Sequence, residues 1–406
     1  MKDNDPNDYL PTRDEAVNLI LANANFALPP TEYVPIDQAL GRYVAQDLTA
    51  RYDMPNAMTS RMDGISLRFD EYQAADGDTS TWQEGREYVF TNTGVAIPKG
   101  YDTAVVIENV EIEDGRLVIT TPPKQKGERT VAPGSSVQAG ELMVRAYEFL
   151  TPGHLATIAT AGYSEVPVLK HPDVAIIPSG NELVPVGMVL PYGKNVETNS
   201  ILLSAKTHSW GGTPHVSRII PDDPDLLLQT LKTAAAQNDI VIFNAGSSKG
   251  SDDYQVSTLR AAGEVFFIRV AYGPGHHTAF AMVDGTPVLG LVGPPTGADF
   301  NADFYLRPLI DAYYRQPYSA PPRLMAHLPE GYEFSTGVKM WLRGVLSRGT
   351  NGLEVQLTPK GAPYRTGRID ANCMVYLAGQ DGQKIEPNGL VEVELREPYD
   401  VSLLGL

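Results

Sequence analysis

The spacing of apolar positions changes several times along the chain, and each change marks a different kind of element. Near the start, Ala16, Leu19, Ile20 and Ala24 recur at helical spacing behind the capping-box pattern Thr12-Arg13-Asp14-Glu15, which predicts a helix over residues 13–24. A short helix is expected over residues 36–40, stopped by Gly41. A third is announced by Thr151-Pro152, carried by Leu155, Ile158 and Ala159, and closed at Gly162. Between these helices, residues 50–135 read as short strands at 88–90, 103–107, 110–112 and 117–119, with Asp114-Gly115 as a hairpin turn. From residue 174 the pattern alternates. Apolar runs at 174–177, 216–220 and 240–243 are separated by helical stretches near 200–210, after Asp222-Asp223-Pro224 and at 253–262, which predicts a mostly parallel sheet. Beyond a Pro-rich breaker at 314–323, strands such as 353–357 and 390–395 predict a small β-barrel or sandwich.

The expected fold is therefore multidomain α/β. A helical linker domain is expected from residues 1–48 and 136–170, a β-rich lobe at 49–135, an α/β domain at 171–318 and a C-terminal β-barrel at 319–406. A chain of 406 residues is longer than one hydrophobic core supports, which agrees with this division.

Composition narrows the function. A formal net charge of -17 and a pI near 4.8 exclude nonspecific nucleic-acid binding. No apolar stretch has the length of a membrane span and the first residues carry no apolar signal core, so a cytoplasmic location is expected. The single cysteine, Cys373, can form no intramolecular disulfide and excludes a zinc site of cysteine type. Net acidity does not exclude an anionic ligand, because peptide N–H groups at a helix start are locally positive. It does suggest a cation between ligand and carboxylates.

The strongest site signal is the apolar run 240–243 entering Asn244-Ala245-Gly246-Ser247-Ser248-Lys249-Gly250 and then Asp253-Tyr254. Gly246 and Gly250 permit close approach, Ser247 and Ser248 offer hydroxyls, and a helix start favours negative charge, so a phosphate-bearing ligand is one reading and an ordinary strand-to-helix turn is the other. Lys249 precedes Gly250, so this is not a Walker loop. Two further turns fall at the same end of the expected sheet: Pro178-Ser179-Gly180-Asn181-Glu182 and Gly293-Pro294-Pro295-Thr296-Gly297. Glu182, Asp222, Asp223 and Asp253 lie just past strand ends. They suit a hard cation, or, for Asp222 and Asp223 before Pro224, a helix cap. In the β-rich lobe, residues 60–65 and 91–100 look like shaped loops. His276 and His277, read as strand neighbours, would point apart and form no metal pair.

In order along nearly the whole chain, these motifs resemble the molybdopterin molybdenumtransferase family, also known as MoeA and as the E domain of gephyrin. The carriers are Met62-Asp63-Gly64, Thr93-Gly94 with Ile97-Pro98 and Gly100, Ser179-Gly180-Asn181-Glu182-Leu183, Glu197-Thr198-Asn199, Asp222-Asp223-Pro224 and the 246–254 loop. Pro274-Gly275, Gly293-Pro294 and Arg343-Gly344 follow in the same order. The resemblance implies an α/β domain of molybdopterin-binding type and insertion of molybdate into adenylated molybdopterin with release of AMP, assisted by Mg2+. It implies an elongated homodimer, with Asp63 and Thr93 reaching the partner's site, and makes the upstream adenylyltransferase a candidate partner. Asp63, Thr93, Asp253 and Arg343 would be catalytic, and Glu182 and Asp222 metal-binding. Ser179, Gly180, Asn199, Gly246, Ser247, Ser248, Gly250, Pro274, Gly275 and Pro294 would hold the pterin substrate.

Departures from the family pattern are specific. Gly273 and His276 stand where lysines flank the Pro-Gly pair, Asn181 replaces an aspartate, Val292 and Pro295 alter a loop, and residues 131–136 lack an expected aspartate. A preorganised cation on developing charge is worth roughly 10²–10³ in rate, so slower catalysis is expected. Three functions compete: a working insertase for molybdate or tungstate, a lapsed pterin- or nucleotide-binding scaffold, and a nucleotide hydrolase on the same sheet.

Overall fold

The computed structural model describes residues 9–245, 254–334, 339–350, 352–358, 365, 369–380 and 382–396. The chain divides into two compact units, residues 31–169 and the remainder.

In the larger unit, helix α1 (Arg13–Asn23) starts with the predicted capping box: Glu15 N–H donates to Thr12 Oγ1 and Thr12 N–H to Glu15 Oε2. Described residues as far as Pro30 group with this larger unit. Arg13 is buried, bonds Glu394 at 2.6 Å and lies over the rings of Phe304 and Trp341.

The α/β domain of this unit contains β1 (Asp173–Ser179), α2 (Asn199–Ser209), β2 (Thr213–Val216), α3 (Pro224–Gln237), β3 (Ile240–Ala245), α4 (Tyr254–Ala262), β4 (Glu264–Phe267), β5 (Ala279–Val283), β6 (Thr286–Val292), α5 (Pro295–Asn301) and α6 (Arg307–Tyr313). The order across the sheet is β2-β1-β3-β6-β5-β4; β2, β1, β3 and β6 are parallel, and β5 and β4 form an antiparallel edge. Ala175, Ile177, Val241, Phe243 and Val288 pack beneath Leu227 and Leu231 of α3 and Leu259 of α4. Their alternate neighbours Val174, Ile176, Ile240, Ile242, Leu289 and Leu291 are equally buried. Both faces are covered, which is why these strands are apolar throughout rather than alternating. The run expected at 216–220 is a strand only to Val216, and a single bridge from Ile220 to Ser179 follows.

The C-terminal strands β7 (Arg323–Leu328), β8 (Met340–Gly349), β9 (Gly352–Leu357), β10 (Cys373–Leu377) and β11 (Gly389–Leu395) close into a barrel, so of the two expected forms the barrel is found. Its interior holds Ala326, Leu346, Val355, Cys373, Val375 and Val393.

In the smaller unit, strands at the two ends, Thr31–Pro35 and Glu165–Leu169, pair antiparallel and tie it shut. Two cores lie inside. One gathers Val44, Leu48, Val144, Leu150, Ile158 and Val166; the other gathers Ile65, Leu67, Tyr88, Val105 and Leu117 around the sheet in which Gly64–Leu67 runs between Tyr88–Thr91 and Thr103–Val106.

Candidate functional site

Sheet register explains why three turns could share one ligand. Ser179 pairs with Ala245, and Ala245 pairs with Val292, so β1, β3 and β6 end at one level and their loops leave the same edge of the sheet. In an open α/β sheet that carboxyl edge is where ligands bind.

The first turn begins at buried Ser179. At Gly180 φ is +147°, a conformation that favours glycine, and the Glu182 carboxylate lies 2.7 Å from where a Cβ would stand. Asn181 and Asp222 clasp each other: Asn181 N–H donates to Asp222 Oδ2 at 3.1 Å and Asp222 N–H to Asn181 Oδ1 at 3.3 Å. Asn181 thus keeps the acceptor that an aspartate would supply, without its charge. Asp223, not Asp222, is the helix cap, accepting from Asp225 N–H and Leu226 N–H. Asp222 is thus held against Asn181, the neighbour of Glu182 in the chain. Among the described residues no cluster of three or more histidine, cysteine or acidic side chains could hold a metal. Lys194, which the sequence reading missed, donates to Asn181 O at 2.7 Å.

The predicted residues Gly246, Ser247, Ser248, Gly250 and Asp253 lie outside the described residues. Both flanks of that loop are held by buried amides. Asn244 Nδ2 donates to Val292 O at 2.7 Å, and Gln255 Nε2 donates to Phe243 O and Leu291 O at 3.1 and 2.9 Å.

Asn199 joins the turns. Its Nδ2 donates to Asn244 Oδ1 at 2.9 Å and to Gly293 O at 2.8 Å, tying the start of α2 to the end of β3 and to the third turn. Its Oδ1 is buried with no hydrogen-bond partner among the described residues, an acceptor still to be satisfied. Pro294 sits at the N-cap of α5.

The Pro274-Gly275 turn is stitched to the barrel: Gly273 N–H donates to Lys339 O at 3.0 Å and Trp341 N–H to Gly273 O at 2.8 Å. Gly275 has φ +94°, and a Cβ on Gly297 would meet Gly275 Cα at 2.9 Å, so two glycines let turn and helix touch. His276 and His277 occupy a turn rather than a strand. Their rings meet edge to face at a centroid separation of 5.2 Å instead of pointing apart.

Arg343, on β8, is buried and donates to Asp299 of α5. Asp299 also accepts from Arg396 at 2.9 Å and Lys206 at 2.7 Å, and Asp303 pairs with the latter two. Burial alone would raise the Asp299 carboxyl, but Lys206, Arg396 and Arg343 together hold it far below the usual carboxylate range. The sequence reading missed Lys206, Asp299 and Arg396, which look like ordinary surface charges until the fold brings them together.

In the smaller unit, Asp63 is fully exposed and its Oδ1 accepts from Thr93 N–H at 2.7 Å and from Thr93 Oγ1 at 3.0 Å. Those two donors, the backbone one first, lower its pKa. Gly64 permits the arrangement: a Cβ there would meet Val105 O at 2.0 Å.

Comparison with known proteins follows this geometry. Residues 12–162 match the family "MoeA N-terminal region (domain I and II)" and residues 175–312 match "Probable molybdopterin binding domain". The molybdopterin molybdenumtransferase of Staphylococcus aureus (strain COL) is 30% identical over 372 residues, covering 86% of this chain and 88% of that protein. The chain belongs to the molybdopterin molybdenumtransferase family. Its counterpart in Staphylococcus epidermidis (strain ATCC 12228) is 26% identical over 385 residues, covering 90% of this chain and 91% of its own length. The crystal structure of the molybdopterin biosynthesis MoeA protein from Pyrococcus horikosii superposes with a TM-score of 0.79 at 25% identity, covering 95% of this chain and 99% of that one. Membership gives the chain a transferase role in molybdenum cofactor biosynthesis and does not favour the scaffold reading. Among the described residues no helix is long and apolar enough to cross a membrane.

Proposed function

We propose that this protein inserts molybdate into the dithiolene of adenylated molybdopterin and releases AMP. The observation that carries the reading is the shared end level of β1, β3 and β6 at the carboxyl edge of the sheet, where Asn199 ties the start of α2 to the end of β3 and to Gly293 after β6.

In this reading Ser179, Gly180 and Asn199 hold the pterin substrate at the first turn, with Gly246, Ser247, Ser248 and Gly250 of the loop outside the described residues. Pro274, Gly275 and Pro294 bound it from the barrel side. Glu182 and Asp222 suit a magnesium ion, since Asp222 is held against Asn181, the neighbour of Glu182, and this cation characteristically takes one or two carboxylates and completes its shell with water and phosphate oxygens. When bound, it would offset phosphate charge that Gly273, standing where the family has a lysine, cannot offset. Asp63, Thr93, Asp253 and Arg343 act at the reacting end. Asp63 arrives ionised, with one oxygen held by Thr93 and the other open. Arg343 contributes by fixing the barrel against α5 through Asp299.

The reading includes a cytoplasmic homodimer in which Asp63 and Thr93 complete the partner copy's site. The exposed apolar residues Met62, Phe90 and Val95, near these two in sequence, and Ile107, whose N–H donates to Asp63 O at 2.8 Å, support a covered surface there. It also includes the division into linker, β-rich lobe, α/β domain and barrel, and docking of the upstream adenylyltransferase to deliver substrate.

The test supplies purified protein with adenylated molybdopterin, magnesium and molybdate, and measures AMP by chromatography. AMP release that Asp63→Ala and Asp253→Ala both stop is the expected result. No AMP under conditions where the S. aureus relative produces it would overturn the reading.

A further inference from the structure

Beneath the Pro274-Gly275 turn lies a buried hydrogen-bond network in which each proton has one destination. Tyr272 Oη–H donates to Asn301 Oδ1 at 2.9 Å, and Tyr305 Oη stands 2.6 Å from Tyr272 Oη, which leaves Tyr305 as the donor in that pair. With its oxygen occupied, Asn301 directs its Nδ2 protons to Thr278 Oγ1 and to Gly275 O, the latter at 3.1 Å. Thr278 Oγ1 then gives its own proton to Gly275 O at 2.8 Å. The chain therefore runs one way, from Tyr305 to the Gly275 carbonyl, whose two lone-pair positions are both filled.

Burial keeps this order. Asn301, Thr278 and Tyr305 are fully buried and Tyr272 nearly so, and desolvation pushes both phenols well above their ordinary pKa, so they remain donors. The amide also fills space that the turn leaves open, since a Cβ on Gly275 would lie 2.2 Å from Asn301 Nδ2. Position 273 itself carries no charge, and what the turn offers a ligand there is backbone held in one place.

We infer that Asn301, backed by Tyr272, is a positioning residue for the pterin substrate: it anchors the Gly275 carbonyl inside the protein and so fixes the outer surface of the Pro274-Gly275 turn. This rests on the proposal that the turn contacts adenylated molybdopterin. A residue acting this way affects substrate affinity more than turnover once substrate is bound, and leaves molybdate handling alone.

Steady-state kinetics of AMP release separate these effects, with direct binding of adenylated molybdopterin in the absence of molybdate as a check that KM reports affinity. Asn301→Ala is expected to raise KM for adenylated molybdopterin about tenfold, with kcat and the KM for molybdate within about twofold. Tyr272→Phe keeps the ring and removes one donor, and is expected to raise the same KM about threefold. Asn301→Asp keeps the shape and the acceptor but loses both donors, and should match Asn301→Ala. If Asn301→Ala does not fold, Tyr272→Phe decides. An unchanged KM in folded Tyr272→Phe, or equal losses in kcat and both KM values, overturns the inference. Gly275→Ala distinguishes the underlying reading. If it raises the KM while the network variants do not, only the positioning role falls. If it too leaves KM unchanged, the turn is not a substrate contact and both fall.

Discussion

Two carboxylates in this molecule, Asp63 and Asp299, are both more acidic than an ordinary aspartate, for opposite reasons. Asp63 is exposed and held by two neutral donors from Thr93. Asp299 is buried, and three cations from α2, β8 and the segment after β11 more than offset the burial that would raise it. Neutral donors on one oxygen leave a carboxylate charged and open to a ligand. Three cations leave it charged but committed, and its work is to hold the α/β domain, the barrel and α2 together. A depressed carboxyl is therefore no guide to chemistry until its partners and its free oxygen are counted.

The largest effect that would sharpen this contrast is on folding. Asp299→Asn keeps the shape and removes the charge, leaving Lys206, Arg343 and Arg396 buried around a neutral amide, with Asp303 still paired to Lys206 and Arg396. Breaking a buried cluster from one side costs about 3–5 kcal/mol, and denaturant titration should show a loss of that size. A midpoint equal to wild type would mean that the cluster is not what joins these elements. Asp63→Ala should do the converse: AMP release falls to background while the unfolding midpoint stays where it was. A lowered midpoint with residual activity would place Asp63 with Asp299 as a structural acid.

Acid is a gentler probe of the same difference. The folded pKa of Asp299 lies below its unfolded value, so its stabilisation is complete above the unfolded pKa of about 3.9 and is lost as pH falls through the depressed folded value. The stability gap between wild type and Asp299→Asn should therefore be constant near neutrality and shrink below about pH 4. A gap that stays constant as pH falls well below about 4 would show that the Asp299 pKa is not depressed in the fold.

How much of this the sequence disclosed follows from the range of each interaction. The alternation of apolar runs and helices was legible because a strand buried on both faces is apolar throughout, as 174–177 and 240–243 are. The turns at 178–182 and 293–297 were legible because glycine and proline after such runs are local signals. Asp299 was not, because its partners lie 93 residues before it at Lys206 and 44 and 97 residues after it at Arg343 and Arg396. The same holds for α1: its capping box is local, but the ion pair that docks it joins Arg13 to Glu394, 381 residues away. Asn199 was named only through the family resemblance, and Asn244 and Asn301 are single polar letters whose roles appear only when each amide's donors and acceptor are counted. For His276 and His277 the error was one of period, since a strand alternates its side chains and a turn does not.

The smallest effect concerns Asn181, which lies between the two kinds of acid. Its amide oxygen accepts from Asp222 N–H and its own N–H donates to Asp222, so the clasp depends on geometry and not on a charge at position 181. Asn181→Asp keeps that acceptor and adds a carboxylate beside Glu182 and Asp222. Three carboxylates at one turn repel one another without a cation and share it when one is present, so the added charge should be felt mainly as metal dependence. The magnesium concentration that gives half-maximal AMP release is expected to fall about threefold in Asn181→Asp, with the maximal rate little changed. If the magnesium requirement is unmoved while the rate at saturating magnesium changes, Asn181 faces the pterin substrate rather than the cation, and the metal lies elsewhere than between Glu182 and Asp222.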